Sequence, residues 1–347
     1  MRDAFVKTPL LLALPFLMAI QWSLMALPAN AKVGQHSADI TTPFGPPERE
    51  LMVEVEGGKV YVRINGLSHT DAIPVIFVHG GPGGTHNGFA SMLGLANERM
   101  VIMYDQLDSG KSEQPNDAAN WRVERFVESL DKIRHALNIK RWHIVGHSWG
   151  SALALEYTAK YPQHTVSTVL GGTFISTPHW IMDANLLVQA APEETRKTLK
   201  QCESDAPPAD PICQEAYTVL YSRYYQPVAP TKAALAYYKN VGGKGFNPLI
   251  YNQMWGPSEF SSTGVLKHYD ATHLLSDIDG SRTLFMIGQY DSARIDTVQN
   301  YIKLTPGAEL AVVPGGAHGF YRDRPLITQA ILQDWLTRQD AAIEVNR

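Results

Sequence analysis

The stretch Trp142-His143-Ile144-Val145-Gly146-His147-Ser148-Trp149-Gly150-Ser151-Ala152-Leu153-Ala154-Leu155 decides how this chain is read. Trp142 to Val145 has the pattern of a short, buried parallel strand. A helix-like segment, Ser151 to Tyr161, follows and stops at Pro162. Between them lies Gly146-x-Ser148-x-Gly150, two glycines that let the chain turn sharply around one serine. Strand, sharp turn and helix with a serine at the apex make a nucleophile elbow. In a chain with 27 glycines the motif alone is weak, and its setting gives it weight.

Further strands lie on both sides of the elbow. Met52–Glu56 and Lys59–Ile64 alternate apolar and polar residues around Gly57-Gly58, which predicts a β-hairpin. Ile73–Val78 and Met100–Tyr104 are apolar runs of the buried-strand type, and Val166–Leu170, Thr283–Gly288 and Glu309–Val313 read as strands too. Helical segments separate them: Arg122–Leu137 places Phe126, Leu130, Ile133 and Leu137 on one face, and a last helix runs from about Pro325 to Arg338. Strands alternating with helices predict an α/β sheet, mostly parallel. The alternation breaks from Ser176 to Ser262, where helix-like pieces such as Glu193–Gln201 and Lys232–Asn240 form an insertion. Ligand sites of such sheets lie at the carboxyl ends of the strands, so the insertion is expected over the site as a helical cap. The division is therefore 32–175 and 263–347 as core, and 176–262 as cap.

Residues 1–31 stand apart. A weakly positive head, an apolar run from about Pro9 to Leu27 and a closing Ala29-Asn30-Ala31 predict a cleaved secretory signal peptide, hence a periplasmic or secreted protein. The other reading is an uncleaved anchor, since the run nearly reaches membrane length. Export brings Cys202 and Cys213 into an oxidising compartment, where the two can pair; two free thiols are the alternative. The remaining composition is that of a chain with a core: 347 residues, 44 % apolar, 18 % charged, net charge −4. Without a basic stripe, nucleic acid is not expected as a partner, and no second apolar run reaches membrane length.

A serine hydroxyl needs a base, and elbow enzymes place serine, acid and histidine in that chain order. His318, in Pro314-Gly315-Gly316-Ala317-His318-Gly319, follows the last strand. Asp291 ends the strand before it, with Asp277, Asp279 and Asp296 as competing carboxylates. Trp149, just after the serine, and the loop His79-Gly80-Gly81-Pro82-Gly83-Gly84 would supply oxyanion N–H groups. That loop lacks the G-K-[ST] of a phosphate loop and the G-x-G-x-x-G of a dinucleotide site. No metal set with usable spacing appears, so no cofactor is expected.

With these residues in place, the chain resembles the prolyl aminopeptidases (proline iminopeptidases), serine peptidases of the α/β-hydrolase fold, in the branch with tricorn-interacting aminopeptidases and amino-acid amidases. The resemblance rests on His79–Gly83, Tyr104-Asp105-Gln106-Leu107-Asp108-Ser109-Gly110-Lys111-Ser112, Gly146–Gly150 and Trp255-Gly256-Pro257-Ser258-Glu259-Phe260. It implies release of an N-terminal residue, proline or another small or apolar one, from a short peptide or amino-acid amide. Ser148 is then nucleophile, Asp291 acid, His318 base, Gly81 and Trp149 oxyanion donors, and Glu259 the partner of the substrate ammonium. Glu259 capping a helix or pairing with Arg223 is the structural alternative. Two departures stand out: His147 replaces a glycine common among relatives, and Leu220–Gln226 holds no acid where a second carboxylate is implied. Competing readings are an esterase, lactonase or non-peptide amidase on the same scaffold, and a catalytically dead binding protein.

Overall fold

A computed structural model describes residues 44–202, 204 and 210–345. The expected signal peptide, 1–31, lies outside the described residues. Eight strands form one sheet in the order β1-β2-β4-β3-β5-β6-β7-β8. β1 (Arg49–Val55), β2 (Gly58–Asn65) and β4 (Val101–Tyr104) pair antiparallel, whereas β3 (Val75–Val78), β4, β5 (Trp142–His147), β6 (Thr165–Gly171), β7 (Thr283–Gly288) and β8 (Glu309–Val313) run parallel. The hairpin turn falls one residue earlier than expected. Glu56 and Gly57 form the loop, and Gly58 already pairs with Val55.

The apolar runs become strands because both faces of the sheet are covered. Ile76, Val78, Ile144 and Phe285 face a core with Phe126, Leu130 and Ile133 of α1 (Val123–Ala136) and Leu153 of α2 (Trp149–Lys160). Their neighbours Val75, Phe77, Val145 and Leu284 face Phe89, Met92 and Leu93 of the 3-10 segment His86–Asn97 and, from the C-terminal helix, Leu332 and Trp335.

Among the described residues, five α-helices fill the insertion between β6 and β7: α3 (Thr177–Gln189), α4 (Glu193–Cys202), α5 (Asp210–Tyr224), α6 (Lys232–Asn240) and α7 (Pro248–Met254). A disulfide joins Cys202 to Cys213, with Cα atoms 5.7 Å apart. Asn247 ties the insertion to the sheet loops: its N–H donates to the Gly83 carbonyl at 2.9 Å and its Nδ2 to the Asp108 carbonyl at 2.9 Å. After β7 come α8 (Ile295–Leu304), the single turn α9 (Phe320–Asp323) and α10 (Pro325–Val345). α10 runs past the expected end at Arg338 because its last turns are anchored. Asp340 takes hydrogen bonds from buried His143 and Arg99 at 2.9 Å each, and Gln339 donates to the Ser281 carbonyl at 3.1 Å.

Candidate active site

Ser148 sits between β5 and α2 with φ +55° and ψ −126°, a conformation that a non-glycine residue holds only under constraint from its surroundings. The two flanking glycines supply that constraint. A Cβ on Gly146 would stand 2.1 Å from the Gly150 carbonyl oxygen, and one on Gly150 2.0 Å from that of Val78. The first turn of α2 thus lies directly against β3 and β5, a contact no side chain permits. The Ser148 N–H donates to the Gly171 carbonyl at 2.8 Å, and its own carbonyl accepts from Ser151 Oγ at 2.6 Å.

His318 and Asp291 meet beside the serine. His318 Nδ1–H donates to Asp291 Oδ1 at 2.7 Å, and the Asp291 side chain is 0 % exposed. Backbone N–H groups of Ala293 (3.0 Å) and Gly288 (3.1 Å) hold the carboxylate in place. With Nδ1 carrying the proton, Nε2 is the acceptor, and Ser148 and His318 line one cleft. The rival carboxylates are occupied elsewhere: Asp279 pairs with Arg282, Asp296 pairs with Arg294, and Asp277 is exposed.

The backbone of the histidine loop is fixed from two directions. The N–H groups of His318 and Gly319 donate to the Tyr224 and Tyr225 carbonyls, at 2.9 and 3.0 Å, where α5 ends. The His318 carbonyl accepts from His147 Nε2 at 2.7 Å. Burial, and then the neighbouring His318 ring, push the His147 imidazole well below its usual range, so it is a neutral donor. The residue that departs from the glycine of relatives is therefore a staple between elbow and histidine loop.

Gly81 and Trp149 line one cavity with Ser148. Among the described residues, neither backbone N–H donates to a protein acceptor. Gln106, quoted in a motif but given no role by sequence, joins their two loops. Its Oε1 accepts from Trp149 Nε1 at 3.0 Å, and its Nε2 donates to the His79 carbonyl at 2.9 Å. Its backbone N–H donates to His79 Nε2 at 3.0 Å, and burial pushes His79 down to about 4, which keeps that nitrogen an acceptor.

Two arms lead away from Ser148. One is an apolar pocket walled by Phe174, Trp180, Tyr251, Trp255 and Leu266. The other passes His318 and Gly319 to reach Arg322. Glu259 lines both. Tyr251 Oη donates to Glu259 Oε1 at 2.7 Å, Trp180 Nε1 donates to its carbonyl at 3.1 Å, and the Tyr221 hydroxyl accepts from its N–H at 3.4 Å. Burial raises the carboxyl above its usual value, with the Tyr251 hydrogen bond and the His318 ring acting the other way. The expected alternative partner, Arg223, lies over the Tyr224 ring instead. Among the described residues no cation lies within 4 Å of Glu259, and no other carboxylate lines either arm. Where a second acid was implied, Leu220–Gln226 contributes Tyr221 and Tyr225, the latter edge-on to His318 at 5.2 Å.

Sequence could not single out Tyr251, Tyr221 or Trp180, because each reaches the site through a fold contact rather than a motif position; Gln106 stood in a motif, but its partners Trp149 and His79 are set by the fold.

Residues 73–205 match a family described as the α/β hydrolase fold. The proline iminopeptidase of Heyndrickxia coagulans is 34 % identical over 287 residues, spanning 83 % of this chain and 98 % of that protein. That of Lactobacillus delbrueckii subsp. lactis is 31 % identical over 287 residues, spanning 81 % and 96 %. The crystal structure of a Mycobacterium smegmatis proline iminopeptidase aligns with a TM-score of 0.76 at 29 % identity, covering 85 % of this chain and 100 % of that one.

Proposed function

This chain belongs to the proline iminopeptidase family, and we propose that it is an exported serine aminopeptidase. It releases an N-terminal proline, or another small or apolar residue, from short peptides or amino-acid amides. The observation that carries this reading is Glu259: a carboxylate without a cationic partner, at the junction of the two arms beside Ser148. A buried carboxylate is costly alone, and a substrate ammonium supplies the missing charge. The apolar arm then takes the first residue's side chain.

The proposed chemistry rests on the His318–Asp291 pair and on the cleft that Ser148 shares with His318. Ser148 Oγ attacks the scissile carbonyl as His318 Nε2 takes its proton, while Asp291 remains a carboxylate and stabilises the imidazolium. Oxygen charge on the tetrahedral intermediate is met by the N–H groups of Gly81 and Trp149. The C–N bond breaks as His318 returns its proton to the leaving amine, leaving an acyl-enzyme on Ser148. Water then adds to the acyl carbonyl as His318 takes its proton, and the C–Oγ bond breaks as His318 returns that proton to Ser148, which frees the amino acid. Export is supported by the apolar leader with its Ala-x-Ala end and by the Cys202–Cys213 disulfide.

The decisive assay compares amino-acid anilides, their N-acetylated forms and short-chain esters, with Ser148→Ala as control. Free-amine anilides are expected to be cleaved and acetylated ones spared, with Ser148→Ala lowering turnover by several orders of magnitude. Equal hydrolysis of free and acetylated anilides would move the reading to an esterase or general amidase.

A further inference from the structure

The arm that runs past His318 ends at a cation. Arg322, on α9, is exposed and is the only lysine or arginine lining either arm among the described residues. Its guanidinium is folded back along the histidine loop: a Cβ on Gly319 would stand 2.8 Å from Nη2. Gln226, just beyond α5, holds it there. With the amide oxygen turned inward, that oxygen accepts from Nη1 at 2.5 Å and Nη2 at 2.8 Å. No carboxylate lies within 4 Å of the guanidinium among the described residues.

The direction of proton transfer says what this arm receives. His318 must hand its proton to the leaving nitrogen, so the leaving group lies on the side that His318 walls. The apolar arm lacks His318 and cannot be that side. A leaving amino acid therefore extends from His318 toward Arg322. Ser148, His318 and Arg322 line this one cleft, and the guanidinium stands beside Gly319, the residue that follows His318 in the loop. Planar guanidinium matches carboxylate in a two-bond fork.

We propose that Arg322 reads the free C-terminal carboxylate of the substrate, which makes dipeptides the preferred class. Glu259 and Arg322 then place opposite charges at the two ends of a zwitterionic dipeptide, with Ser148 between them. The inference rests on the aminopeptidase reading above and adds the leaving-group side to it.

The test uses purified protein and three substrates with one shared first residue: a dipeptide, its C-terminal amide and the anilide. Wild type is expected to favour the dipeptide over its amide by about tenfold or more in kcat/KM, the range of one charge-assisted hydrogen bond. Arg322→Gln should bring that ratio close to one. Arg322→Lys should restore part of it, because the charge returns without the fork. Gln226→Leu should lower it by freeing the guanidinium. A wild-type ratio near one, or a ratio unmoved by Arg322→Gln, overturns the role of Arg322 while anilide cleavage leaves the aminopeptidase reading standing. No cleavage of any of the three overturns both.

Discussion

Replacing Gln106 by leucine removes a buried amide that joins the two oxyanion loops. In the native chain its two ends contact Trp149 Nε1 at 3.0 Å and the His79 carbonyl at 2.9 Å. Leucine is similar in bulk but has no polar atoms, so both partners lose their hydrogen bonds while staying out of water. An unmet buried group costs about 1–3 kcal/mol, so Gln106→Leu should destabilise by roughly 2–6 kcal/mol in urea unfolding. The kinetic effect is separate. Deleting one oxyanion donor costs about 10²–10³ in kcat. Here both donors remain and only their spacing relaxes, so a fall of roughly 10- to 100-fold is expected. KM should change less than kcat, because the amide does not touch Glu259 and reaches the apolar pocket only through the Trp149 indole. Gln106→Glu keeps an acceptor for Trp149 but turns an oxygen toward the His79 carbonyl, and should hold the loops no better. Single-turnover kinetics on a free-amine anilide give the kcat and KM split. A Gln106→Leu enzyme that loses stability but keeps kcat within about twofold of wild type would refute the positioning role.

Three further outcomes are expected. Glu259→Gln should cost ~2–5 kcal/mol in kcat/KM on free-amine substrates, roughly thirty- to several-thousand-fold. Burial raises the Glu259 carboxyl, and its charge exists only above that raised value. The wild-type to Glu259→Gln ratio of kcat/KM should therefore fall toward one as pH drops through it. A ratio constant between about pH 8 and pH 4 contradicts the ammonium assignment. Asp291→Asn should lower kcat by roughly 10⁴ with little change in binding, since an amide no longer selects the Nδ1–H form of His318; near-normal turnover would point to another acid. Cys213→Ser should cost about 2–3 kcal/mol in unfolding and also lower kcat, because α5 ends on the carbonyls that hold His318 and Gly319. Unchanged stability and rate after reduction would argue that the bond is idle.

Sequence alone determined the parts of this protein that are encoded locally. β7 runs at its expected residues, because a strand covered on both faces is a run of apolar side chains whatever its neighbours; β8, the edge strand, also runs where expected, although only Val313 in it is fully buried. The elbow was legible because Gly146 and Gly150 are demanded by contacts within a few residues of Ser148 or against the adjoining strand. Chain order pointed to Asp291 and His318, yet order does not distinguish Asp291 from Asp277, Asp279 or Asp296. Its place just after β7 favoured Asp291, and the fold closed the choice with a 2.7 Å hydrogen bond across 27 residues, leaving the rivals to solvent or arginines. Gln106 reaches Trp149 across 43 residues, and Arg322 has its meaning only because α5 brings Gln226 to the histidine loop. Such hydrogen bonds depend on direction at the ångström scale between segments remote in the chain. Local preference carries no such information, so it was tertiary packing that turned scattered polar residues into a site with two charged ends.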